Sequence, residues 1–252
     1  MRANVRRIAS LTLTETRLFL REPAAFFFGL AFPVLLLTLF GTLFGDVPLS
    51  STSELTAFDF SLPALIGAFI GQAGIVSLPV FLATYREQGI LKRYHASPVS
   101  LTTYLISHVV MHFGILLLMA LVMAGVAAAF FGLHFPGNPA SVLLIGLLSV
   151  AGLFSFGFAL SGAVSSPQAG QAIGNFLFLS MFFLSGAAIP HALFPDWLQT
   201  ASMSLPLTHV VQPLAGVWLG DPLSDHLLSI GILIALVPLG LLTARRYFRW
   251  KT

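Results

Sequence analysis

Apolar positions in this chain come in long uninterrupted runs rather than in alternating patterns, and six of these runs predict helices able to cross a bilayer. The first covers residues 24–45 and opens at Pro23, whose missing N–H costs nothing in the first turn of a helix. The others cover 61–84, 104–131, 141–164, 172–188 and 227–244. The joint between the fourth and fifth, Ser165-Ser166-Pro167-Gln168-Ala169-Gly170-Gln171, is uncharged but made of turn-formers. Ahead of the first run, residues 1–22 pattern as an amphipathic helix lying in the headgroup layer. Val5, Ile8, Leu11, Leu18 and Phe19 share one arc, and Arg2, Arg6, Arg17 and Arg21 the opposite one, with Glu15 interrupting the apolar side. Residues 189–226 stay apolar but are broken by Pro195, Pro206, Pro213 and Pro222, and they carry Trp197 and Trp218, which suit a membrane interface. Such a segment dips and returns as two short helices instead of crossing. The expected fold is therefore an all-α polytopic membrane protein: one transmembrane domain over 1–252, with an N-terminal interfacial helix, six spans, and a re-entrant outer segment before the last.

Composition strengthens this reading. Charged residues are 8% of the chain and hydrophobic ones 57%, with a mean hydropathy of +0.93, so lipid must be the solvent for most of it. Six spans leave no room among the 252 residues for a soluble catalytic domain. The absence of cysteine removes disulfides, thiolate nucleophiles and sulfur-ligated metals. All 12 Lys and Arg fall in three clusters: Arg2, Arg6, Arg7, Arg17 and Arg21; Arg86, Lys92 and Arg93; and Arg245, Arg246, Arg249 and Lys251. The intervening loops hold Asp46, Glu54, Asp59, Asp196, Asp221 and Asp225 and no base. Basic residues mark the cytoplasmic side, which predicts cytoplasmic N- and C-termini and an even number of spans. The basic character thus serves a membrane surface, and no nucleic-acid partner is expected.

Candidate chemistry inside the spans is sparse. No carboxylate, Lys or Arg lies well within a predicted span, which argues against a proton-driven pump or secondary carrier. Gln72 and Asn175 are the most polar side chains deep in apolar runs and are candidates to line a substrate path, the alternative being an interhelical hydrogen bond. His108 and His112 share a helical face at metal-ligand spacing, but no third ligand is evident, so no metal site is expected. The carboxylate pair or Ser/His set that an intramembrane enzyme requires is also missing, and no catalytic residue is expected. Gly41 and Gly45, Gly67 and Gly71, and Gly170 and Gly174 are small-residue pairs suited to close helix packing, within the chain or across a dimer. Pro33, Pro79 and Pro238 predict kinks.

The connection at 85–100 is the one charged internal loop. Mixed charge together with Ile90, Leu91 and Tyr94 suits a short surface helix that offers an apolar anchor and polar contacts. The run Glu87-Gln88-Gly89-Ile90-Leu91-Lys92-Arg93, followed by Pro98-Val99-Ser100, resembles the first cytoplasmic loop of type 2 ATP-binding-cassette permeases, especially those of the daunorubicin-resistance group. Ser185-Gly186, Pro190, Phe194-Pro195, Trp197-Leu198, Pro206-Leu207-Thr208 and Gly216 resemble that family's outer segment between the last two spans. The resemblance implies a coupling helix at Arg86, Glu87, Gln88, Gly89, Ile90, Leu91, Lys92 and Arg93 that docks on a separate ATPase, and an outer gate around Pro190, Phe194, Trp197, Pro206 and Thr208. It implies a homodimer, or a heterodimer with a related permease, in a prokaryotic plasma membrane. The implied cargo is an amphipathic drug, antibiotic or lipid-like molecule, as in multidrug efflux and antibiotic resistance, with export of a polysaccharide or lipid-linked glycan as the alternative. No phosphate-cradling glycine-rich turn precedes Lys92 or Lys251, so no cofactor is expected in this chain and ATP and Mg belong to the partner.

Overall fold

The computed structural model describes residues 2–44, 56–89, 101–189, 191 and 194–247. Asp46, Glu54, Gly45, residues 90–100 and Pro190 lie outside these, and so do the basic residues Lys92, Arg93, Arg249 and Lys251. Among the described residues there is no strand, and the helices follow the apolar runs. They are α1 (Arg2–Arg21); α2, built of Pro23–Phe26, a π-helical stretch Phe27–Ala31 and Phe32–Phe44; α3 (Ala57–Glu87); α4 (Leu101–Phe130); α5 (Pro139–Ala163); α6 (Pro167–Leu184); the short α7 (Asp196–Ser202) and α8 (Thr208–Trp218); and α9 (Leu227–Tyr247). Among the described residues, Ala57–Glu87, Ile106–Phe130, Pro139–Ala163 and Leu223–Ala244, which joins the 3-10 turn Leu223–His226 to α9, are four stretches long and apolar enough to cross a membrane, and Phe27–Leu43 is a shorter apolar helix.

Local chemistry sets the helix ends. Asn138 caps α5 by accepting from Ala140 N at 2.8 Å, with Pro139 at the first helical position. Ser166 does the same for α6 through Ala169 N at 3.2 Å, so Gln168 to Gln171, expected in a turn, are already helical. The start of α3 departs further from expectation. Thr56 and Asp59 form a reciprocal capping box, which moves the helix start ahead of residue 61. Asp59, expected in a solvated loop, is in fact a first-turn residue with 1% exposure. A carboxylate is tolerated there because it satisfies backbone donors at a helix N-terminus.

Prolines act on the ladder as expected, though not all alike. A proline lacks the N–H that would bond residue i−4 and crowds that carbonyl. Ahead of Pro33 and Pro79 the chain widens into π turns, Phe27–Ala31 and Gln72–Ser77, which contain Gly29 and Ile75, the two i−4 residues. Around Pro238, α9 stays α-helical.

Helix α3 is the centre of the bundle, with 67% of its most apolar stretch buried against 11% for α9. Glycines set how closely its neighbours approach. A Cβ on Gly67 would lie 3.2 Å from the Val211 side chain and one on Gly71 2.7 Å from Leu207, so this pair seats α8. Gly170 and Gly174 seat α6 on Val80 and Val76 of α3, and Gly41 faces the Phe131 ring. The described members of all three expected pairs are thus used within the chain. Helices α5 and α9 lie backbone to backbone through Gly152, beside Leu233, and Gly240, beside the Ser155 carbonyl. Helix α1 lies along α4, where Thr12 Oγ1 donates to Ser107 O at 3.3 Å.

Candidate functional site

Five helices, α1, α2, α3, α4 and α6, surround a cavity of about 810 Å3. Both π turns reach it: Phe28 and Gly29 from the first, Gln72, Ala73 and Ser77 from the second. Gln72 and Asn175, chosen from sequence for their polarity alone, line this one space from facing helices. Each is half-buried, and the remaining wall is largely aromatic and aliphatic, including Phe19, Phe32, Phe69 and Phe178. An extra backbone residue per turn rotates side chains relative to an α-helix, which is why π turns recur at ligand sites. Among the described residues, no charged side chain lines the cavity.

His112 also lines it, which sequence spacing did not suggest. Its Nδ1 is paired with His108 O at 3.1 Å, the local partner four residues back on α4. His108 is 4% exposed, stacked on Phe81 with ring centroids 3.6 Å apart and 4.2 Å from the His112 ring, and both its ring nitrogens lack hydrogen-bond partners among the described residues. No group of three or more His, Cys, Asp or Glu suited to a metal occurs among the described residues.

The cavity and the charged connection share an element. Helix α3 begins at the Asp59 cap, passes the cavity at Gln72 and Ser77, and ends at Glu87. Glu87 and Gln88 are exposed, and Gly89 takes φ 66°, a left-handed conformation that stops the helix and that glycine adopts without strain. Arg86 turns the other way. Its guanidinium donates to the carbonyl of Val164, the residue that ends α5, so it ties two helix ends together. Of the expected coupling residues, Ile90, Leu91, Lys92 and Arg93 lie outside the described part.

Helix α8 lies along α3 on the Ala57 side of Gln72, and α7 packs on α6. Helix α8 is buried along most of its length, Thr208 through Trp218, against α3 and α5. Polar side chains lock it in place. Thr208 Oγ1 donates to Ser202 O at 2.7 Å, and His209 bridges Met203 O at 2.8 Å and Ser229 Oγ at 3.0 Å. Gln212 Nε2 donates to Ser185 O at 2.9 Å. Of the residues expected at an outer gate, Thr208 is thus a buried lock, Trp197 is 70% exposed, Phe194 packs edge-on against His191, Pro206 is half-buried in the turn before α8, and Pro190 lies outside the described residues.

One Ser/His contact does occur here, between Ser202 Oγ and His191 Nε2 at 2.6 Å. The single hydroxyl hydrogen of Ser202 goes to Gln199 O at 2.7 Å, so His191 Nε2 must donate. Burial holds the His191 imidazole below the usual histidine value, against a smaller opposing effect of its backbone hydrogen bond at Gln199. A serine with 0% exposure whose proton is committed to a carbonyl is no nucleophile.

A transport permease, ycf38, of Cyanophora paradoxa is 26% identical over 215 residues, 82% of this chain and 73% of its own length. The ycf38 transport permeases of Porphyra purpurea and Pyropia yezoensis are 28% and 29% identical, over 80% and 76% of this chain and 71% and 67% of theirs. The family described as ABC-2 type transporter matches residues 6–218, from the N-terminal helix through to the end of α8. With buried helices too apolar for water, a cavity bordered by five of them and a family match over most of its length, this chain is a multi-pass membrane permease of the ABC-2 type transporter family.

Proposed function

We propose that this chain is the membrane-spanning subunit of an ATP-driven exporter that moves an amphipathic drug, antibiotic or lipid-like molecule out of a prokaryotic cell. The observation that carries the proposal is one helix, α3, joining a solvent-exposed acidic end at Glu87 to a cavity with polar amides at Gln72 and Asn175. In this reading α2, α3, α4, α5, α6 and α9 are the six spans, α1 lies in the headgroups, and both termini are cytoplasmic. Helix α6 has 18 residues, enough to cross about 27 Å at 1.5 Å per residue, and Gly170 and Gly174 in its first half lie against α3. The α7–α8 hairpin is then re-entrant and closes the outer end of the path.

Two such subunits, identical or related, would bind two separate ATPase subunits that carry ATP and Mg. Closure of the ATPases pushes on residues 86–93, and α3 transmits the displacement to the cavity wall. The π turn at Gln72–Ser77 interrupts the α-helical ladder of that lever where it passes the cavity. An amphipathic cargo is favoured over a glycan, because the wall offers a few hydrogen-bonding groups among many apolar ones, whereas a sugar chain needs partners for many hydroxyls.

Co-purification with an ATPase encoded beside this chain tests the reading. In the reconstituted complex, Glu87→Lys is expected to lower transport at least tenfold without changing thermal stability, since Glu87 is exposed and supports no packing. Arg86 is the wrong position for that test, because its loss also uncaps α5. Replacing Gln72 and Asn175 together by leucine is expected to cut cargo-stimulated ATP turnover about tenfold while leaving basal turnover intact, measured across a panel of amphiphiles. An intact transport rate in Glu87→Lys, or an unchanged response to every amphiphile in the double variant, would count against the lever or the cavity respectively.

A further inference from the structure

Polar groups on the wall of the large cavity have hydrogen bonds left to make. The side-chain amides of Gln72 on α3 and Asn175 on α6 are half-buried there and have no partner among the described residues. His112 of α4 adds a ring nitrogen to the same wall. Its Nδ1 lies 3.1 Å from the His108 carbonyl, and a carbonyl only accepts, so Nδ1 carries the ring proton. Among the described residues no carboxylate lines the wall to pair an imidazolium, so the ring is neutral and Nε2 is an acceptor only.

Access separates this nitrogen from those of His108. Both His108 nitrogens are closed off inside the bundle, whereas His112 Nε2 stays accessible and has no partner among the described residues. The amides of Gln72 and Asn175 can each turn an oxygen or an NH2 toward a ligand, so they suit donors and acceptors alike. His112 has no such freedom, because its proton is committed to the His108 carbonyl. A ligand that brought only acceptors would cover Nε2 and leave it unpaired, and a charged ligand would be buried without a counter-ion.

We propose that His112 sets the polarity of the cargo: the molecule held in the cavity is uncharged and presents a hydroxyl or N–H hydrogen to His112 Nε2. Gln72 and Asn175 then match whatever further polar groups it carries, and the aromatic and aliphatic wall takes its apolar body. This rests on the reading of the cavity as the place where an amphipathic cargo is held, and it narrows that cargo to neutral hydrogen-bond donors.

Three probes that share one apolar body supply the test: 4-octylphenol, its methyl ether 4-octylanisole, and 4-octylbenzylamine. At neutral pH the phenol is an uncharged donor, the ether only accepts, and the amine is a cation. The full chain, purified in detergent, is incubated with each, and the retained probe is read by native mass spectrometry in wild type, His112→Phe and His112→Gln. Partition into the micelle is the same for all three proteins, so the quantity compared is the ratio of phenol to ether retained. That ratio is expected to fall about fivefold or more in His112→Phe, which keeps a ring and loses the acceptor, and to recover in His112→Gln, which offers an amide oxygen at similar reach. Melting temperatures should agree, since the one hydrogen bond of His112 among the described residues is local to α4. Retention of the amine should respond to neither substitution. An equal ratio in wild type and His112→Phe overturns the role of His112 while the cavity still holds amphiphiles. A ratio that His112→Gln fails to restore overturns the hydrogen bond, and an amine that responds as the phenol does overturns the requirement for a neutral cargo. Retention of neither phenol nor ether by wild type overturns the amphiphile cavity itself, and the proposal with it.

Discussion

Gly157→Val is expected to prevent the chain from reaching a stable, monodisperse folded state. Gly157 on α5 crosses Gly74 in the π turn of α3, and a Cβ on Gly157 would overlap the Gly74 carbonyl oxygen. In the other direction, a Cβ on Gly74 would lie 2.8 Å from Leu153 O. Both obstacles are backbone atoms, so no side chain can rotate out of the way. Overpacking an interior costs typically about 1–3 kcal/mol when side chains can yield, and a rigid backbone crossing belongs at or above the top of that range. The loss is large against the total stability of a domain, about 5–15 kcal/mol. Thermal melting in detergent and size-exclusion chromatography check it. Gly114→Val serves as the control, since a Cβ on Gly114 meets nothing within 4 Å. Equal melting of the two variants would mean that the α3–α5 crossing is not where the structure has it.

Asp59→Ala is expected to cost about 3 kcal/mol and to loosen the end of the bundle where α3 meets the α4–α5 connection. One carboxylate oxygen accepts from Thr56 N and Thr56 Oγ1, each at 2.9 Å, and the other from the His134 backbone N at 3.0 Å. Removing the acceptor strands these donors in a site with 1% exposure, and each buried donor left unpaired costs roughly 1–3 kcal/mol. Asp59→Asn keeps one acceptor oxygen but turns an amide toward donors, so an intermediate loss is expected. His134→Ala should change little. The His134 side chain is 57% exposed, its Nδ1 lies 3.7 Å from the carboxylate, and the bond that matters comes from its backbone. Melting temperatures of the three variants check this order, and an Asp59→Ala protein as stable as wild type would refute the assignment.

The sequence was most informative where one physical requirement acts on contiguous residues. Burying backbone in hydrocarbon demands helices of about 20 apolar residues, and that demand is written along the chain without reference to any contact. Pro23 marks a helix start for an equally local reason, whereas the starts at Pro139 and Pro167 lie ahead of the apolar runs expected at 141 and 172, because Asn138 and Ser166 cap them. Gln72 and Asn175 could be singled out because polarity in an apolar run is visible residue by residue. Their facing one cavity could not, since helices 100 residues apart in sequence meet there. Asp59 was misread for a related reason. A carboxylate next to an apolar run is the same letter whether it is hydrated or caps a helix and grips a loop 75 residues away. His112 and His108 look equivalent on one face, yet packing against Phe81 buries one and leaves the other on the cavity wall.

What the sequence determined by itself, then, is the class of protein and the order of its helices. Hydrophobicity, missing N–H groups and short-range capping are properties of a residue and its near neighbours. Only the tertiary structure decided which glycines bring backbones into contact, that α8 is buried rather than laid on the surface, and which polar groups share a cavity. Those outcomes depend on shape complementarity between distant helices, where a single Cβ is enough to forbid an approach, and no local pattern records which surfaces will meet.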